Sequence, residues 1–163
     1  METNWNTAIA FVLEAEGGLT NDPNDSGGLT NRGLTHTDIE QWNVKHAQKL
    51  DIRLLTIEQA RLVYRQKYWI TCGAGKLPSG VDVVHFDTAV NLGLSQAQTC
   101  LNRTHKPGFS PRATCFAYLA DRSAVYDKIV AAHPQDEVFR KGWQNRLEAL
   151  KALVERLCPH VQV

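Results

Sequence analysis

The sequence predicts a mainly α-helical protein, and two observations support that prediction. In nearly every segment with a regular pattern, apolar residues recur at intervals of three and four positions. This is the period of an amphipathic helix rather than of a strand. The main exception is the stretch from 19 to 35, where Asn, Asp, Pro, Gly and Thr predominate. Such a composition is typical of tight turns. We therefore expect helices throughout, interrupted after the first helix by a short loop or β-hairpin.

The first helix is predicted from Asn4 to Glu16. Trp5, Ile9 and Val12 follow helical spacing, and the pair of glycines directly after Glu16 is a stop signal. Further helices are predicted over residues 38–46, 56–69, 81–92, 95–103, 111–132 and 135–157. Thr56 with Gln59 forms a capping box, and Ser110 followed by Pro111 marks another helix start.

Length and charge limit the classes of function. The chain has 163 residues, within the roughly 100 to 200 residues of one domain, so we expect a single domain over 1–163. A net charge of +1 without a Lys/Arg run argues against nucleic-acid binding. No apolar run reaches the roughly 18 residues of a membrane span, so no stable membrane insertion is expected. The N-terminus lacks the pattern of a signal peptide, which predicts synthesis in the cytoplasm.

The cysteines and histidines do not indicate a metal site. The four cysteines lack the paired short spacing of a zinc site, and the six histidines form no HExxH cluster. We expect reduced thiols where the protein is made, because disulfides are rare in the cytoplasm. The alternative is that Cys100 and Cys115 form a disulfide after the protein has left the cytoplasm.

Carboxylates at the end of the first helix and in the loop after it are the candidate catalytic groups. Glu16 shares a helical face with Ile9 and Val12, so its carboxyl is expected on the apolar side. Partial burial and the negative end of the helix dipole both favour a carboxyl that keeps its proton, as general-acid cleavage of a glycoside requires. Asp22 and Asp25 lie in polar surroundings that favour the ionised form. The alternatives are a Glu16 side chain turned to water and aspartates that only make turn hydrogen bonds.

The same residues resemble a known family. The segment EAEGGLTNDPNDSGGLTNRGLT (14–35) resembles the N-terminal signature of glycoside hydrolase family 108, a group of phage endolysins and secretion-activator muramidases. Three later segments follow in the family's order: YRQKYW (64–69), LPSGVDVVHFDTAVNLG (77–93) and FRKGW (139–143). The resemblance implies a two-lobed lysozyme-like fold, no cofactor, and hydrolysis of the β-1,4 bond between N-acetylmuramic acid and N-acetylglucosamine in peptidoglycan.

The resemblance also implies roles for individual residues. Glu16 matches the family's catalytic glutamate, and Asp25 lies nine residues later, where many endolysins have a second catalytic residue. Asn31 stands where that pattern has a threonine, with Thr30 beside it as the alternative third member. Asp22 and Asn31 are candidates for substrate binding. Leu19 replaces the aromatic residue that the family usually has after the two glycines.

Architecture and partners follow from the same resemblance. Residues 1–94 are expected to form a catalytic lobe, and 95–163 a helical lobe that resembles the family's peptidoglycan-binding region. The partner is the glycan strand of bacterial peptidoglycan, and we expect a monomer. With no recognised signal peptide, the protein is expected to reach the periplasm on release from the host cytoplasm, through a separate holin-like pore protein.

Polar and aromatic residues of the central helices are further candidates for substrate binding. Tyr68 and Trp69 could stack on sugar rings, and His85 and Asn91 carry polar groups on a segment that is otherwise apolar. The alternative is that the aromatic pair packs in the core and that His85, Asp87 and Asn91 form a hydrogen-bonded network between helices.

Two other functions remain open at this stage. A lytic transglycosylase uses one acid and forms an anhydro sugar without attack by water. A protein of another class, which binds the wall or assists secretion without catalysis, could keep the same fold.

Overall fold

The prediction of a mainly α-helical fold is confirmed. A computed structural model describes residues 4–16, 18–21 and 28–159. Within them the α-helices are α1 (Trp5–Ala15), α2 (His36–His46), α3 (Ile57–Tyr64), α4 (Val81–Leu92), α5 (Leu94–Thr104), α6 (Pro111–Ala132) and α7 (Arg140–Leu157). Shorter 3-10 helices cover Ile52–Leu54, Ala74–Lys76 and Pro134–Phe139, and a π-helical segment covers Arg65–Ile70. No helix in these ranges is both long and apolar enough to cross a membrane.

A short loop or a β-hairpin is predicted after α1, and the described residues of this segment form a hairpin extended by one strand. β1 (Thr20–Asn21), β2 (Leu29–Asn31) and β3 (Leu34–Thr35) make a three-stranded antiparallel sheet in that order. Thr30, at the centre of β2, lies opposite Thr20 on one side and Thr35 on the other. The sheet leads directly into α2, because Thr35 is both the last residue of β3 and the N-cap of α2.

The observed helix boundaries lie close to the predicted ones, and two of the predicted helices differ in helix type along part of their length. The predicted helix 56–69 starts with the Thr56 and Gln59 capping box, but its α-helical part ends at Tyr64 and continues as the π-helical segment. The predicted helix 135–157 begins as a 3-10 turn over Pro134–Phe139 and becomes α-helical at Arg140. The π-helical segment has wider turns and the 3-10 segment has tighter turns than an α-helix. Both keep the chain helical but change which side chains point toward the core.

The chain divides into two compact units. The hairpin unit comprises the described residues of Ile9–Lys67, and the helical unit those of Met1–Ala8 and Tyr68–Val163. In the helical unit α4 packs against α5 and α6, and every residue from Val81 to Ala89 is buried. For that reason α4 groups with the later helices, and the units divide between Ala8 and Ile9 and between Lys67 and Tyr68. The assignment of catalysis to 1–94 and of wall binding to 95–163 stays a prediction.

Candidate active site

Glu16 lies at the C-terminal end of α1, on the side of the helix that faces the core. Ile9 and Val12 are fully buried on that side, and the backbone N–H of Glu16 donates to the Val12 carbonyl at 3.0 Å. The Glu16 side chain itself is half-buried. The helical spacing therefore brings the carboxyl to the edge of the core, where one part of it can be reached from solvent.

The turn between β2 and β3 lies next to this carboxyl. Its two central residues, Arg32 and Gly33, have φ values of +53° and +74°, as a two-residue type I′ hairpin turn requires. A positive φ is unusual for arginine, and two hydrogen bonds hold it: Arg32 Nε donates to the Leu55 carbonyl at 3.2 Å, and the Arg32 carbonyl accepts from the Tyr64 hydroxyl at 2.9 Å. The turn is thereby tied to the segment that leads into α3 and to α3 itself.

Gly33 is where the turn approaches the carboxyl most closely. A Cβ atom at this position would lie 2.6 Å from Glu16 Oε2 and 2.6 Å from the Tyr64 hydroxyl oxygen. The two oxygens are thus no farther apart than twice that distance. Any side chain at Gly33 would displace one or both of them, so glycine is required here for space as well as for its positive φ.

Tyr64 is a member of this site that the sequence analysis missed. Its ring is fully buried, and its single hydroxyl hydrogen is directed to the Arg32 carbonyl. Toward its other neighbours the phenol oxygen therefore presents lone pairs, which can accept a hydrogen bond from a protonated carboxyl. The available signals were the segment YRQKYW, which begins with Tyr64, and the glycine at position 33, and neither shows that the two residues meet until the chain is folded.

The site residues predicted in the loop after α1 differ in where the structure places them. Thr30 is half-buried in β2. Asn31 is buried, and its Nδ2 donates to the Ile52 carbonyl at 2.7 Å, which anchors β2 to the following 3-10 helix. This contact favours a structural role for Asn31, and its part in substrate binding stays a prediction. Asp22 and Asp25 lie outside the described residues.

Comparison with known proteins identifies the family. The sequence profile described as Glycosyl hydrolase 108 matches residues 9–93, more than half of the chain, and this range includes Glu16, Gly33 and Tyr64. The chain belongs to the glycosyl hydrolase 108 family. It is also similar to the solved structure of Brucella abortus SagA, with a TM-score of 0.81 over 100% of both chains. The two sequences are 22% identical, so this likeness establishes the fold alone. A search of curated proteins found no match.

In this member of the glycosyl hydrolase 108 family, the aromatic pair predicted to contact sugars lies in the helical unit. Trp69 is buried, and its ring packs edge-on against Trp5 and Phe86, with centroids 5.4 Å away in each case. Tyr68 is half-buried. The packing favours the core alternative for Trp69, whereas sugar stacking by Tyr68 stays a prediction.

His85 is fully buried in α4, and each of its ring nitrogens lies near one oxygen atom. Nδ1 lies 3.0 Å from the Tyr118 hydroxyl, and Nε2 lies 3.2 Å from the Cys72 carbonyl. Because a carbonyl only accepts, the contact at Nε2 requires a hydrogen on that nitrogen. Burial lowers the pKa of His85, which keeps the ring neutral. These contacts favour the network alternative for His85 over substrate binding.

Asp87 lies at the centre of a buried ion cluster in the same helical unit. Its Oδ2 accepts from Arg122 at 2.6 Å, and its Oδ1 accepts from Arg146 at 2.8 Å. Burial alone would raise the pKa of Asp87, but the guanidinium groups of Arg122 and Arg146 outweigh it and hold that pKa below its ordinary value. The carboxylate therefore joins α4, α6 and α7.

Asn91, one turn after Asp87, extends this network. Its Oδ1 accepts a hydrogen bond from the Tyr126 hydroxyl, which in turn accepts from Arg122 Nε. The side chain is half-buried, and its role in substrate binding stays a prediction. Among the described residues, no group of three or more His, Cys, Asp or Glu side chains is placed to hold a metal ion.

Proposed function

We propose that the protein is an endolysin-type muramidase, which hydrolyses the β-1,4 bond between N-acetylmuramic acid and N-acetylglucosamine, with Glu16 as the general acid. The observation that carries the proposal is the position of the Glu16 carboxyl, half-buried at the end of α1 and beside the β2–β3 turn. It lies inside the region that matches a glycosyl hydrolase profile. A carboxyl in such a position can meet a glycosidic oxygen while the protein shields its other side.

Hydrolysis of a glycosidic bond generally uses two carboxyl groups with different roles. Glu16 gives its proton to the oxygen of the leaving sugar as the bond breaks. We assign the second carboxylate to Asp25, which stabilises the positive charge that develops on the sugar ring or activates water. Thr30 is proposed to position that water, and Tyr64 to keep the Glu16 side chain in place.

The substrate and the route to it complete the proposal. The partner is the glycan strand of peptidoglycan, contacted by a monomer in the periplasm. The protein reaches that compartment from the cytoplasm of a phage-infected or prophage-carrying host through a separate holin-like pore protein. The wall is the only macromolecule that the chemistry requires.

Product analysis tests the reaction. Purified Gram-negative sacculi are digested with the wild-type protein, and the soluble fragments are reduced with borohydride and analysed by mass spectrometry. Fragments that end in reduced muramic acid are expected. Anhydro ends would instead identify a lytic transglycosylase. Binding to sacculi without release of fragments would identify a wall-binding or secretion-accessory protein.

A pair of glutamates on one helix tests the general acid. Glu16→Gln keeps the shape of the side chain but cannot supply the proton, so the rate of fragment release should fall by roughly 10² to 10⁴. Glu14→Gln is the matched control, because Glu14 is exposed on the same helix and its substitution should leave the rate unchanged. Circular dichroism checks that both variants are folded. Equal rates for Glu16→Gln and wild type would remove Glu16 from the mechanism.

A further inference from the structure

Two of the four cysteines meet beside the start of α4. A Cβ atom at Gly80, the N-cap of α4, would lie 2.7 Å from Cys158 Sγ and 3.3 Å from Cys115 Sγ. The two sulfur atoms therefore lie no farther apart than the sum of these distances. Gly80 leaves the space between the helices open, and a side chain there would collide with Cys158.

The other two thiols have different neighbours. Cys72 Sγ lies 3.6 Å from the Trp69 carbonyl, and Cys100 Sγ lies 3.4 Å from Gln96 Nε2. Burial raises the pKa of the Cys115 thiol to about 12, and the adjacent Cys158 thiol acts in the same direction. The fold thus brings Cys115 together with Cys158, whereas the sequence analysis had left open a bridge between Cys115 and Cys100.

The pair combines a buried thiol with an accessible one. Cys115 lies in α6 and is fully buried, whereas Cys158 follows the last residue of α7 and is half-buried. Cys158 also lines a cavity of about 680 Å³, together with Arg112, Phe116 and Leu157. A cavity of this size admits a small-molecule reagent, so Cys158 is the thiol of this pair that an oxidant reaches first.

We propose that Cys115 and Cys158 are a redox-responsive pair that forms an intramolecular disulfide by exchange with a low-molecular-weight disulfide such as oxidised glutathione. The Cys158 thiolate attacks the reagent, forms a mixed disulfide and releases one thiolate. The Cys115 thiol, which burial keeps protonated, passes its proton to the departing thiolate as its sulfur attacks Cys158 Sγ. Two protein thiols lose two electrons and two protons in all, and the reagent is reduced to two thiols.

The local structure permits the approach that the bond requires. A disulfide needs the sulfurs about 2.05 Å apart, so at least one side chain must turn. Cys158 lies outside α7, and its Sγ now donates to the Ser79 carbonyl at 3.0 Å. Exchanging this weak hydrogen bond for the covalent bond requires a turn of the Cys158 side chain, while its backbone N–H stays bonded to the Val154 carbonyl at 2.8 Å. The bridge then ties the end of α7 to α6 in the helical unit.

The experiment uses the whole chain at defined redox potential. The reduced protein is equilibrated with mixtures of oxidised and reduced glutathione, remaining thiols are blocked with a maleimide, and peptides are analysed without reduction. The expected product is a linked peptide pair that contains Cys115 and Cys158, two hydrogens lighter than its thiol form. Two thiols should remain for the maleimide. The melting temperature should rise by roughly 5 to 10 °C, because the bridge closes a long loop.

Single substitutions make the assignment decisive. Cys158→Ser and Cys115→Ser should each abolish the linked pair and the rise in melting temperature, and Cys158→Ser serves alone if Cys115→Ser does not fold. Cys100→Ser is the control that should retain both. A link to Cys72 or Cys100, a dimer joined by disulfides, or a lasting glutathione adduct at Cys158 would each overturn the proposal, as would four thiols left free in the oxidising mixture.

Discussion

The hairpin unit and the helical unit each contain a carboxylate on the inner side of a helix, and the two carboxylates differ in their burial and in their neighbours. Asp87 in α4 is fully buried, and two guanidinium groups occupy its oxygens. Glu16 at the end of α1 is half-buried and meets a tight turn. Complete burial with compensating charges makes a carboxylate part of the scaffold, whereas partial exposure at a helix end leaves one that a substrate can reach.

The largest expected effect concerns the buried cluster. Asp87→Asn removes the negative charge between Arg122 and Arg146, so the free energy of unfolding should fall by about 3 to 5 kcal/mol. Denaturation in urea measures the loss. Asp127→Asn is the control, because Asp127 pairs with Arg140 at the surface and its loss should be much smaller. Similar losses in both variants would contradict the structural role assigned to the cluster.

Glycine substitutions test the close approach in the hairpin unit. Gly33→Ala should lower stability by roughly 1 to 2 kcal/mol, because alanine is strained at positive φ, and should also displace Glu16 and lower the rate of fragment release at least tenfold. Gly108→Ala has a comparable φ of +83° but open space around it. Gly108→Ala should therefore lower stability by a similar amount but leave the rate of fragment release unchanged. If Gly33→Ala keeps the wild-type rate, the turn does not position the carboxyl.

Substitution of two buried tyrosines tests whether the Tyr64 hydroxyl supports catalysis as well as the stability of the fold. Tyr64→Phe and Tyr118→Phe each remove a hydroxyl that donates to a carbonyl, Arg32 in one case and Ala97 in the other. Each should cost about 1 kcal/mol of unfolding free energy. Only Tyr64→Phe should also lower the rate of fragment release. Equal rates in the two variants would show that the Tyr64 hydroxyl serves stability alone.

The smallest expected effect is a dependence of stability on pH that originates in the helical unit. Burial lowers the pKa of His85 from its ordinary value of 6.5. The unfolded chain therefore takes up a proton at a higher pH than the folded protein, and stability should fall as the pH drops below 6.5. Urea denaturation at pH 7.5 and 5.5 measures this, and His85→Gln should flatten the change. An unaltered slope in that variant would assign the effect to other groups.

Local signals in the sequence account for most of the helices. The predicted limits of α4 and α6 agree with the structure, since Gly93 ends one helix and Ser110 with Pro111 starts the other. The same kind of signal located Glu16, because the spacing of apolar residues sets its face and the two glycines set the end of α1. Each of these inferences depends only on residues within a few positions of one another.

The remaining site residues depend on contacts between distant parts of the chain. Tyr64 meets the turn at Gly33 only because α3 packs beside the hairpin, and nothing in the sequence near Tyr64 indicates that neighbour. The partners of Asp87 come from α6 and α7, far along the chain, so the sequence could suggest that this carboxylate needs compensation but not what supplies it.

The sequence by itself determined the helical class, a loop or hairpin after α1 and the helical face of Glu16, because helix periodicity, caps and turn residues are local properties. The order of four motifs along the chain supplied the resemblance to a glycosyl hydrolase family. Only the tertiary structure decided which polar groups the core neutralises, which glycine must lack a side chain, and which two of four cysteines are neighbours. Those outcomes depend on distances through space, which helix packing sets and short-range patterns do not encode.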